Sequence, residues 1–312
     1  MTQPAAATET RARVVESFGR RVLVETPRGE RLPAELFGKR LGCVCGDEVT
    51  IRRPREPGGD VAKVVAVAPR RTEFARTDSR GRTEPLAANV SLVAVVFAAQ
   101  PTPDPYIADR YLAGAALAGI AGMLVVNKCE LDSTNDAGFA ATVAEYEQAG
   151  YDVLRTSALR PDTIARLAAR IEGQVAMLVG QSGVGKSTLT NQLVPQSLRP
   201  TRTISDATGE GRHTTVSTAL FRVPGGGELI DSPGVRDYAP PLVEDASVQV
   251  GWSEILARAP QCRFNNCLHL REPGCAVTDA VSEGRLAPRR YESYRRLLNI
   301  MRTLAPEYER RR

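Results

Sequence analysis

The sequence predicts an α/β protein of three domains, which we place at residues 1–76, 77–239 and 240–312. Three observations support this prediction. The first domain contains short β-like runs separated by turn residues. The middle of the chain alternates apolar strand patterns with helical patterns, which is typical of a largely parallel sheet. The last domain combines helical periodicity with a cluster of Cys and His residues.

The N-terminal domain is predicted to be a small β-barrel. Five short β-like runs occur between residues 13 and 67, with Pro and Gly turns between them. Five strands in about 65 residues suit an OB-fold, and a small sandwich or an SH3-like barrel fits the pattern almost as well. Residues 70–84 are charged and polar, and we expect them to form a linker.

The middle domain is predicted to contain a mainly parallel sheet with helices between its strands. The strand patterns occur at residues 90–98, 122–127, 152–156, 175–179, 217–223 and 228–230. The helical patterns occur at residues 107–118, 135–149, 161–171 and 186–193.

The strongest motif in the sequence is a phosphate-binding loop. A segment that fits G-x-x-x-x-G-K-[ST] begins at Gly180, after an apolar strand pattern and before a helical pattern. In such a loop, backbone N–H groups surround a phosphate and the following helix N-terminus adds positive charge. Lys186 would reach the β- and γ-phosphates, and the Ser187 hydroxyl would bind Mg²⁺. The predicted nucleotide contacts here are Gly180, Gln181, Ser182, Gly183, Val184, Gly185, Lys186, Ser187 and Thr188.

An Asn-Lys-x-acid pattern upstream of this loop predicts guanine recognition. The Glu130 carboxylate can accept hydrogen bonds from guanine N1–H and N2–H₂, a pair of donors that adenine does not present. The Lys128 stem would lie against the base, and Asn127 would brace the loop. Glu130 stands where Asp is usual, so the bidentate geometry requires a small backbone shift. Ser157 and Ala158, after a later apolar run, are predicted to contact guanine O6 through a backbone N–H.

Two downstream segments are predicted to complete the nucleotide site. Asp231 begins an Asp-x-Pro-Gly motif, where it would bind Mg²⁺ through water while the Gly234 N–H meets the γ-phosphate. A polar loop lies between the phosphate loop and Asp231. In that loop Thr215, which we favour over Thr214, would complete the Mg²⁺ shell when GTP is bound.

A metal site is predicted near the C-terminus. Cys262, Cys267, His269 and Cys275 lie within 14 positions and are surrounded by polar residues, which disfavours burial without a metal. Three thiolates and one imidazole form a closed tetrahedral ligand set. We therefore predict one structural zinc ion per chain and no catalytic metal at these residues.

The charge of the chain is concentrated near its C-terminus. Lys and Arg total 41 against 36 Asp and Glu, a net charge of +5, and residues 285–312 alone contain nine Arg and three Glu. Tyr and Arg side chains there can stack on bases and pair with phosphates, so we expect an RNA contact that includes Arg289, Arg290, Arg295 and Arg296. A solvated basic face is the alternative.

The sequence contains no apolar run near the roughly 20 residues that a membrane helix needs. Its N-terminus is polar and lacks the apolar core of a signal peptide. We therefore expect a cytoplasmic location and no membrane contact.

The nucleotide motifs occur in a permuted order. The guanine segments come first, followed by the phosphate loop, a His-Thr-Thr segment and Asp-Ser-Pro-Gly, whereas ordinary GTPases begin with the phosphate loop. This order, between a small β-domain and a Cys/His cluster, resembles the small-subunit-dependent GTPase family called RsgA (also YjeQ). Residues 109–112, 211–215 and 231–236 also match the family pattern.

The resemblance implies an N-terminal OB-fold β-barrel, a circularly permuted P-loop GTPase domain and a C-terminal helical zinc-binding domain. It also implies GTP hydrolysis stimulated by the small ribosomal subunit, rRNA binding and a late role in maturation of that subunit. We expect a monomer that uses Mg²⁺ and zinc. Two other functional classes fit the sequence less well. The intact motifs disfavour a purely RNA-binding module with a vestigial nucleotide site, and no acceptor pocket is evident for a metabolic GTP-dependent kinase.

The residue that orients the attacking water is not the usual one. Ras-like GTPases use a Gln just after Asp-x-x-Gly, and this position is Val235 here, which cannot hydrogen-bond through its side chain. His213 lies two residues before Thr215, in the loop expected to close over the γ-phosphate. A neutral imidazole can accept a hydrogen bond from water, so we predict that His213 is catalytic. It would otherwise pack within the loop or contact rRNA.

Overall fold

The N-terminal region of the computed structural model is a closed five-stranded barrel. The structure describes residues 9–38, 41–53, 61–195, 218–231 and 238–305. The barrel strands are β1 (Glu9–Phe18), β2 (Arg21–Glu25), β3 (Arg31–Leu36), β4 (Glu48–Arg52) and β5 (Ala62–Val67). They pair in the order β1-β2-β3-β5-β4, and β4 closes the ring on β1. Only β3 and β5 run parallel. This closed arrangement is the predicted OB-fold and excludes a two-sheet sandwich.

Alternation along the barrel strands explains its core. Val14, Val24 and Ile51 are fully buried and point inward, while their neighbours along each strand are more exposed. The register of β1 shifts between Val14 and Glu16. The bulge turns Val15 out of the barrel and into the core shared with the middle of the chain.

The prediction of a linker at residues 70–84 is wrong, because this stretch contributes to a hairpin of β6 (Glu73–Thr77) and β7 (Thr83–Ala88). Its charged residues pair with each other, as Arg76 does with Glu84. Its few apolar residues are buried, and the Phe74 ring stacks on Tyr238 with centroids 5.2 Å apart. A polar segment therefore forms strands because its ion pairs and a distant aromatic contact compensate for its composition.

The middle of the chain forms the predicted, largely parallel sheet. Its strands are β8 (Leu92–Phe97), β9 (Ala121–Val126), β10 (Asp152–Arg155), β11 (Val175–Val179), β12 (Thr218–Arg222) and β13 (Glu228–Asp231). Their order is β10-β9-β8-β11-β13-β12, and only β12 runs antiparallel to its neighbour in this series. A short antiparallel pairing of Ser17 with Thr218 and Glu16 with Ala219 joins β12 to β1. The barrel and the parallel strands are therefore one 11-stranded sheet.

Helices cover both faces of the parallel strands. They are α1 (Pro105–Leu117), α2 (Ala137–Gln148), α3 (Pro161–Ile171) and α4 (Lys186–Leu193). Val93 and Val95 of β8 share a core with α1 and α2, whereas Ala94 and Val96 share one with α3 and α4. Because β8 is buried on both faces, all six of its residues are apolar, as central parallel strands usually are.

The C-terminal region is helical, as predicted, with α5 (Ser253–Leu256), α6 (Ala276–Ser282) and α7 (Pro288–Leu304). Its core surrounds Trp252, whose ring meets Tyr294 of α7 edge-on at 5.6 Å. Ala113 of α1 belongs to the same core. Gly251 allows this contact, because a Cβ there would lie 2.6 Å from the Ala113 Cβ. Helix α1 therefore packs against both the parallel sheet and the C-terminal region.

The arginines of α7 do not form one exposed face, which corrects the expectation that all four contact RNA. Arg289 and Arg290 are buried against Asp109 of α1, which is 1% exposed. Arg289 donates to Asp109 at 2.7 Å and also pairs with Glu145, while Arg290 Nε donates to Glu254 at 2.7 Å. These four ion pairs join α7 to α1, α2 and α5.

Arg295 and Arg296 are half-exposed and pair with Glu292 at 3.1 Å. They alone of the four remain accessible for an external contact.

Among the helices that the structure describes, none has the length and apolar character needed to cross a bilayer.

Candidate nucleotide site and metal centre

The predicted phosphate loop connects β11 to α4. Gly180, Gly183 and Gly185 have φ values of 135°, 82° and 98°, a backbone region that favours glycine. The loop is also closely packed: a Cβ on Gly180 would lie 2.3 Å from the Val96 carbonyl oxygen, and one on Gly185 would lie 2.4 Å from Asn127 Nδ2. Its shape therefore requires glycine for both conformation and space.

Lys186 begins α4 and points back over the loop. Its Nζ donates to the carbonyl oxygens of Gly180 and Gln181, both at 2.8 Å. Burial lowers the pKa of Lys186, and the negative charge of Asp231 opposes that shift. Ser187 and Thr188 are exposed in the first turn of α4, where the helix dipole favours an anion. A charged amine, two hydroxyls and a helix N-terminus thus converge on one concave loop.

The first guanine segment follows β9 and lies against the phosphate loop. Asn127 is buried, and its Nδ2 donates to the Val184 carbonyl at 2.9 Å while its Oδ1 accepts from the Thr156 hydroxyl at 3.2 Å. Lys128 has a φ of 62°, and its Nζ donates to the Gly183 carbonyl at 2.8 Å. Asn127 thereby links the phosphate loop to the second guanine segment.

The two guanine segments are also hydrogen-bonded through their backbones. The Cys129 N–H donates to the Thr156 carbonyl at 3.1 Å, which places the segment containing Glu130 beside the segment containing Ser157. Glu130 is exposed, so its carboxylate is accessible to a ligand. The Ser157 N–H donates to Thr163 Oγ1 at 2.9 Å, and Ala158 follows it at the half-exposed surface of the loop.

Asp231 is the last residue of β13, and it stands beside Leu178 in the parallel pairing with β11. The strand pairing thus carries its carboxylate to the edge of the sheet where the phosphate loop begins. Gly234, His213 and Thr215, which complete the predicted site, lie outside the described residues.

The sequence prediction missed the segment at residues 100–104, which forms a further wall of this site. Gln181 of the phosphate loop donates to the Thr102 carbonyl at 3.1 Å and accepts from the Asp104 N–H at 3.2 Å. Lys128 Nζ also donates to the Gln100 carbonyl at 3.0 Å. The Gln181 side chain is thus engaged by the protein. A cluster of prolines between β8 and α1 was the available indication of a shaped loop.

The four predicted metal ligands lie together in the C-terminal region. Their ligand atoms are all within 4.8 Å of one another. Cys262 Sγ is 3.5 Å from His269 Nδ1 and 3.9 Å from Cys275 Sγ, while His269 Nδ1 and Cys275 Sγ are 3.4 Å apart. Ligand atoms of a tetrahedral zinc lie about 3.5–3.8 Å apart, given Zn–S bonds near 2.3 Å. The donor set and its spacing therefore fit zinc.

Surrounding groups orient these ligands. His269 Nε2 lies 3.0 Å from the Gln249 side-chain oxygen, which leaves Nδ1 directed toward the sulfur atoms. Gln249 was not predicted, because nothing in its local sequence indicates this contact. Burial lowers the pKa of His269, favouring the neutral imidazole that a metal requires. Burial raises the pKa of Cys267 to about 12, so a nearby cation is needed to stabilise its thiolate.

Glu272 fixes the turn that carries His269. Its carboxylate accepts backbone N–H groups of Leu268, Leu270 and Arg271 at 2.8–2.9 Å. Burial alone would raise the pKa of Glu272, but these hydrogen bonds lower it to about 2. Hydrogen bonds from backbone N–H groups to Glu272 thus hold the loop that carries the His269 ligand.

Comparison with known proteins agrees with this geometry. The sequence model of the RsgA GTPase family matches residues 67–240. A small ribosomal subunit biogenesis GTPase RsgA from Azotobacter vinelandii is 42% identical over 305 residues, covering 95% of this chain and 86% of the relative. The chain belongs to the RsgA GTPase family. Another family member so named, from Pseudomonas fluorescens, is 41% identical over 91% of this chain and 84% of its own length.

Two solved structures share the fold. The crystal structure of YjeQ from Thermotoga maritima has a TM-score of 0.73 and 26% identity, covering 94% of this chain and 99% of that one. YloQ, a circularly permuted GTPase, has a TM-score of 0.71 and covers 99% of this chain and 100% of its own, at 22% identity. The family match, together with the order of the motifs in the sequence, makes the protein a GTPase with permuted motifs.

Proposed function

We propose that this GTPase acts on the small ribosomal subunit, in late maturation of that subunit, and that the subunit stimulates its hydrolysis of GTP. The names of its relatives, small ribosomal subunit biogenesis GTPases, support this partner. The observation that carries the chemistry is the convergence of Asn127, Lys186 and Asp231 on one edge of the sheet. A binding module with a vestigial site would not need this packed arrangement.

The phosphates would bind residues 180–188. Lys186 would exchange its two carbonyl partners for the β- and γ-phosphates, which offer it stronger charge-assisted hydrogen bonds. Ser187, Thr215 and Asp231 would hold Mg²⁺, which neutralises phosphate charge when bound. The Gly234 N–H would contact the γ-phosphate.

Guanine would bind between the two segments that follow β9 and β10. Glu130 would accept from N1–H and N2–H₂, and Lys128 would lie against the base. Ser157 and Ala158 would lie beside O6, and the Ala158 N–H would donate to it, because the Ser157 N–H already donates to Thr163 Oγ1. Support for this assignment is the hydrogen bond that ties the two segments together beside the phosphate loop.

Zinc would bind Cys262, Cys267, His269 and Cys275, one ion per chain, in a structural role. Cys267 and Cys275 belong to the core around Trp252, so the ion would stabilise the whole C-terminal domain. The proposed domains are residues 1–76, 77–239 and 240–312. Two hydrogen bonds at 2.8 Å, from Thr77 to the carbonyls of Ala239 and Pro240, join residues at the two proposed boundaries.

The barrel and the zinc-binding domain would contact rRNA, with the protein acting as a cytoplasmic monomer. Arg295 and Arg296 remain accessible for such a contact. The decisive experiment measures GTP turnover with and without purified small subunits. Stimulation by the subunit is expected, and an identical rate in both conditions would reject the proposal.

We further propose that His213 orients the attacking water. The substitution His213→Ala should leave GTP and subunit affinity nearly unchanged. It should reduce subunit-stimulated turnover at least tenfold, which corresponds to an increase of about 1.4 kcal/mol or more in the activation free energy. A variant with the full stimulated rate would place the catalytic group elsewhere, including on the ribosome itself.

A further inference from the structure

The turn between two of the metal ligands presents an aromatic ring to solvent. Arg263, Phe264, Asn265 and Asn266 separate Cys262 from Cys267, and all four are exposed. Phe264 is 40% exposed. An apolar ring in such a position lacks the stabilisation that burial would provide. The residues around the ring indicate what kind of partner would cover it.

Backbone hydrogen bonds on both sides of the ring hold the turn that carries it. The Arg263 N–H donates to the Gly274 carbonyl at 3.0 Å, and the Phe264 carbonyl accepts the Cys267 N–H at 3.2 Å. Gly274 has a φ of 72°, and a Cβ there would lie 3.2 Å from the Arg263 Cβ. The turn that carries the ring is therefore hydrogen-bonded and closely packed within the domain itself.

The chemistry around the ring suits a nucleobase better than an apolar protein surface. The Arg263 guanidinium carbon lies 5.5 Å from the Phe264 ring centroid, in a cation–π contact. Asn265 and Asn266 add amide donors and acceptors, and Arg271 is exposed on the neighbouring turn. An apolar partner would require a contiguous apolar patch, whereas here a single ring is bordered by cations and amides.

We propose that Phe264 and Arg263 form a platform on which one unpaired base of the small-subunit rRNA stacks. The base would lie on the ring, and the guanidinium of Arg263 would contact the adjoining phosphate. This inference rests on the proposed function and specifies one of its contacts. The base would contact Phe264 and Arg263 rather than the metal, and backbone hydrogen bonds hold the turn that carries these two residues.

The test compares four variants for affinity to purified small subunits. Phe264→Ala should weaken binding about tenfold, which is the loss of one stacked base. Phe264→Trp should retain the affinity because it keeps an aromatic face. Phe264→Leu should weaken binding nearly as much as Ala, since it keeps apolar volume and loses the face. Leu256→Ala is the matched control, because Leu256 is 42% exposed in the same region and should not matter.

Two results would overturn the platform. Unchanged affinity in Phe264→Ala would remove the ring from the interface, and full affinity in Phe264→Leu would indicate an apolar protein contact instead of a base. Trp252 emission and bound metal, measured on each variant, verify that the domain is folded. Failure of the proposed function is distinct, because the unmutated protein would then not bind small subunits at all.

Discussion

The substitution Asp109→Asn tests the ion pairs that hold α7 on the rest of the protein. The Asp109 carboxylate accepts hydrogen bonds from Arg289, Arg290 and Ser293, and the Arg290 side chain is only 2% exposed. The amide has the same shape, but it removes the charge and directs an NH₂ group at donors. Breaking a buried pair in this way typically costs about 3–5 kcal/mol.

The expected cost here is near the lower end of that range, about 3 kcal/mol. Each arginine keeps a second carboxylate, because Arg289 also pairs with Glu145 and Arg290 with Glu254. Trp252 provides the assay, since it is the single Trp of the chain and is fully buried in the C-terminal core. With a urea slope of about 1–3 kcal/mol/M, the unfolding midpoint of its fluorescence should fall by at least about 1 M.

The matched control is Glu292→Gln on the exposed side of α7. Glu292 pairs with Arg295 and Arg296 at the surface, where such pairs contribute about 0–1 kcal/mol. The control midpoint should therefore barely move. If Asp109→Asn unfolds at the same urea concentration as Glu292→Gln, the buried pairs do not hold α7 in place and the reasoning is wrong.

Three other sets of substitutions test separate parts of the structure. Glu130→Gln should weaken GTP binding by about 1–3 kcal/mol in nucleotide titrations, far more than Glu130→Asp, because it loses a charge-assisted pair. Equal affinity of the unmutated protein for GTP and ATP would contradict the assignment of Glu130 to guanine recognition. Cys267→Ser should remove zinc and unfold the C-terminal domain while GTP binding persists; metal analysis that still finds one zinc per chain would refute it. Replacing Arg295 and Arg296 with Ala should weaken subunit binding and flatten its salt dependence, and unaltered affinity would indicate a solvated face.

The parallel strands were predictable because burial on both faces produces unbroken apolar runs. β8 shows this most clearly, since every one of its residues is buried. The β6–β7 hairpin was not predictable in the same way. Its strands depend on contacts far along the chain, such as Phe74 with Tyr238, and local composition carries no record of them.

The same distinction applies to the functional residues. The phosphate loop has a local requirement for glycine, so its position could be predicted from spacing alone. The expectation that Arg289 and Arg290 contact RNA failed because a run of arginines does not reveal its partners. Asp109, which binds both, lies 180 and 181 positions away. Gln249, beside His269, was missed for a similar reason.

The pairing of β1 with β12 has a consequence for the order in which the nascent chain can assemble. The barrel strands are contiguous at residues 9–67, so the barrel can close while the rest is still being synthesised. Ser17 and Glu16 pair with β2 within the barrel, and they gain their second partners, on β12, only when Thr218 and Ala219 emerge. The nucleotide site is also completed late, because its guanine segments are synthesised before the phosphate loop and β13. The N-terminal barrel can therefore close early, whereas its pairing with β12 must wait until residue 219 has been synthesised.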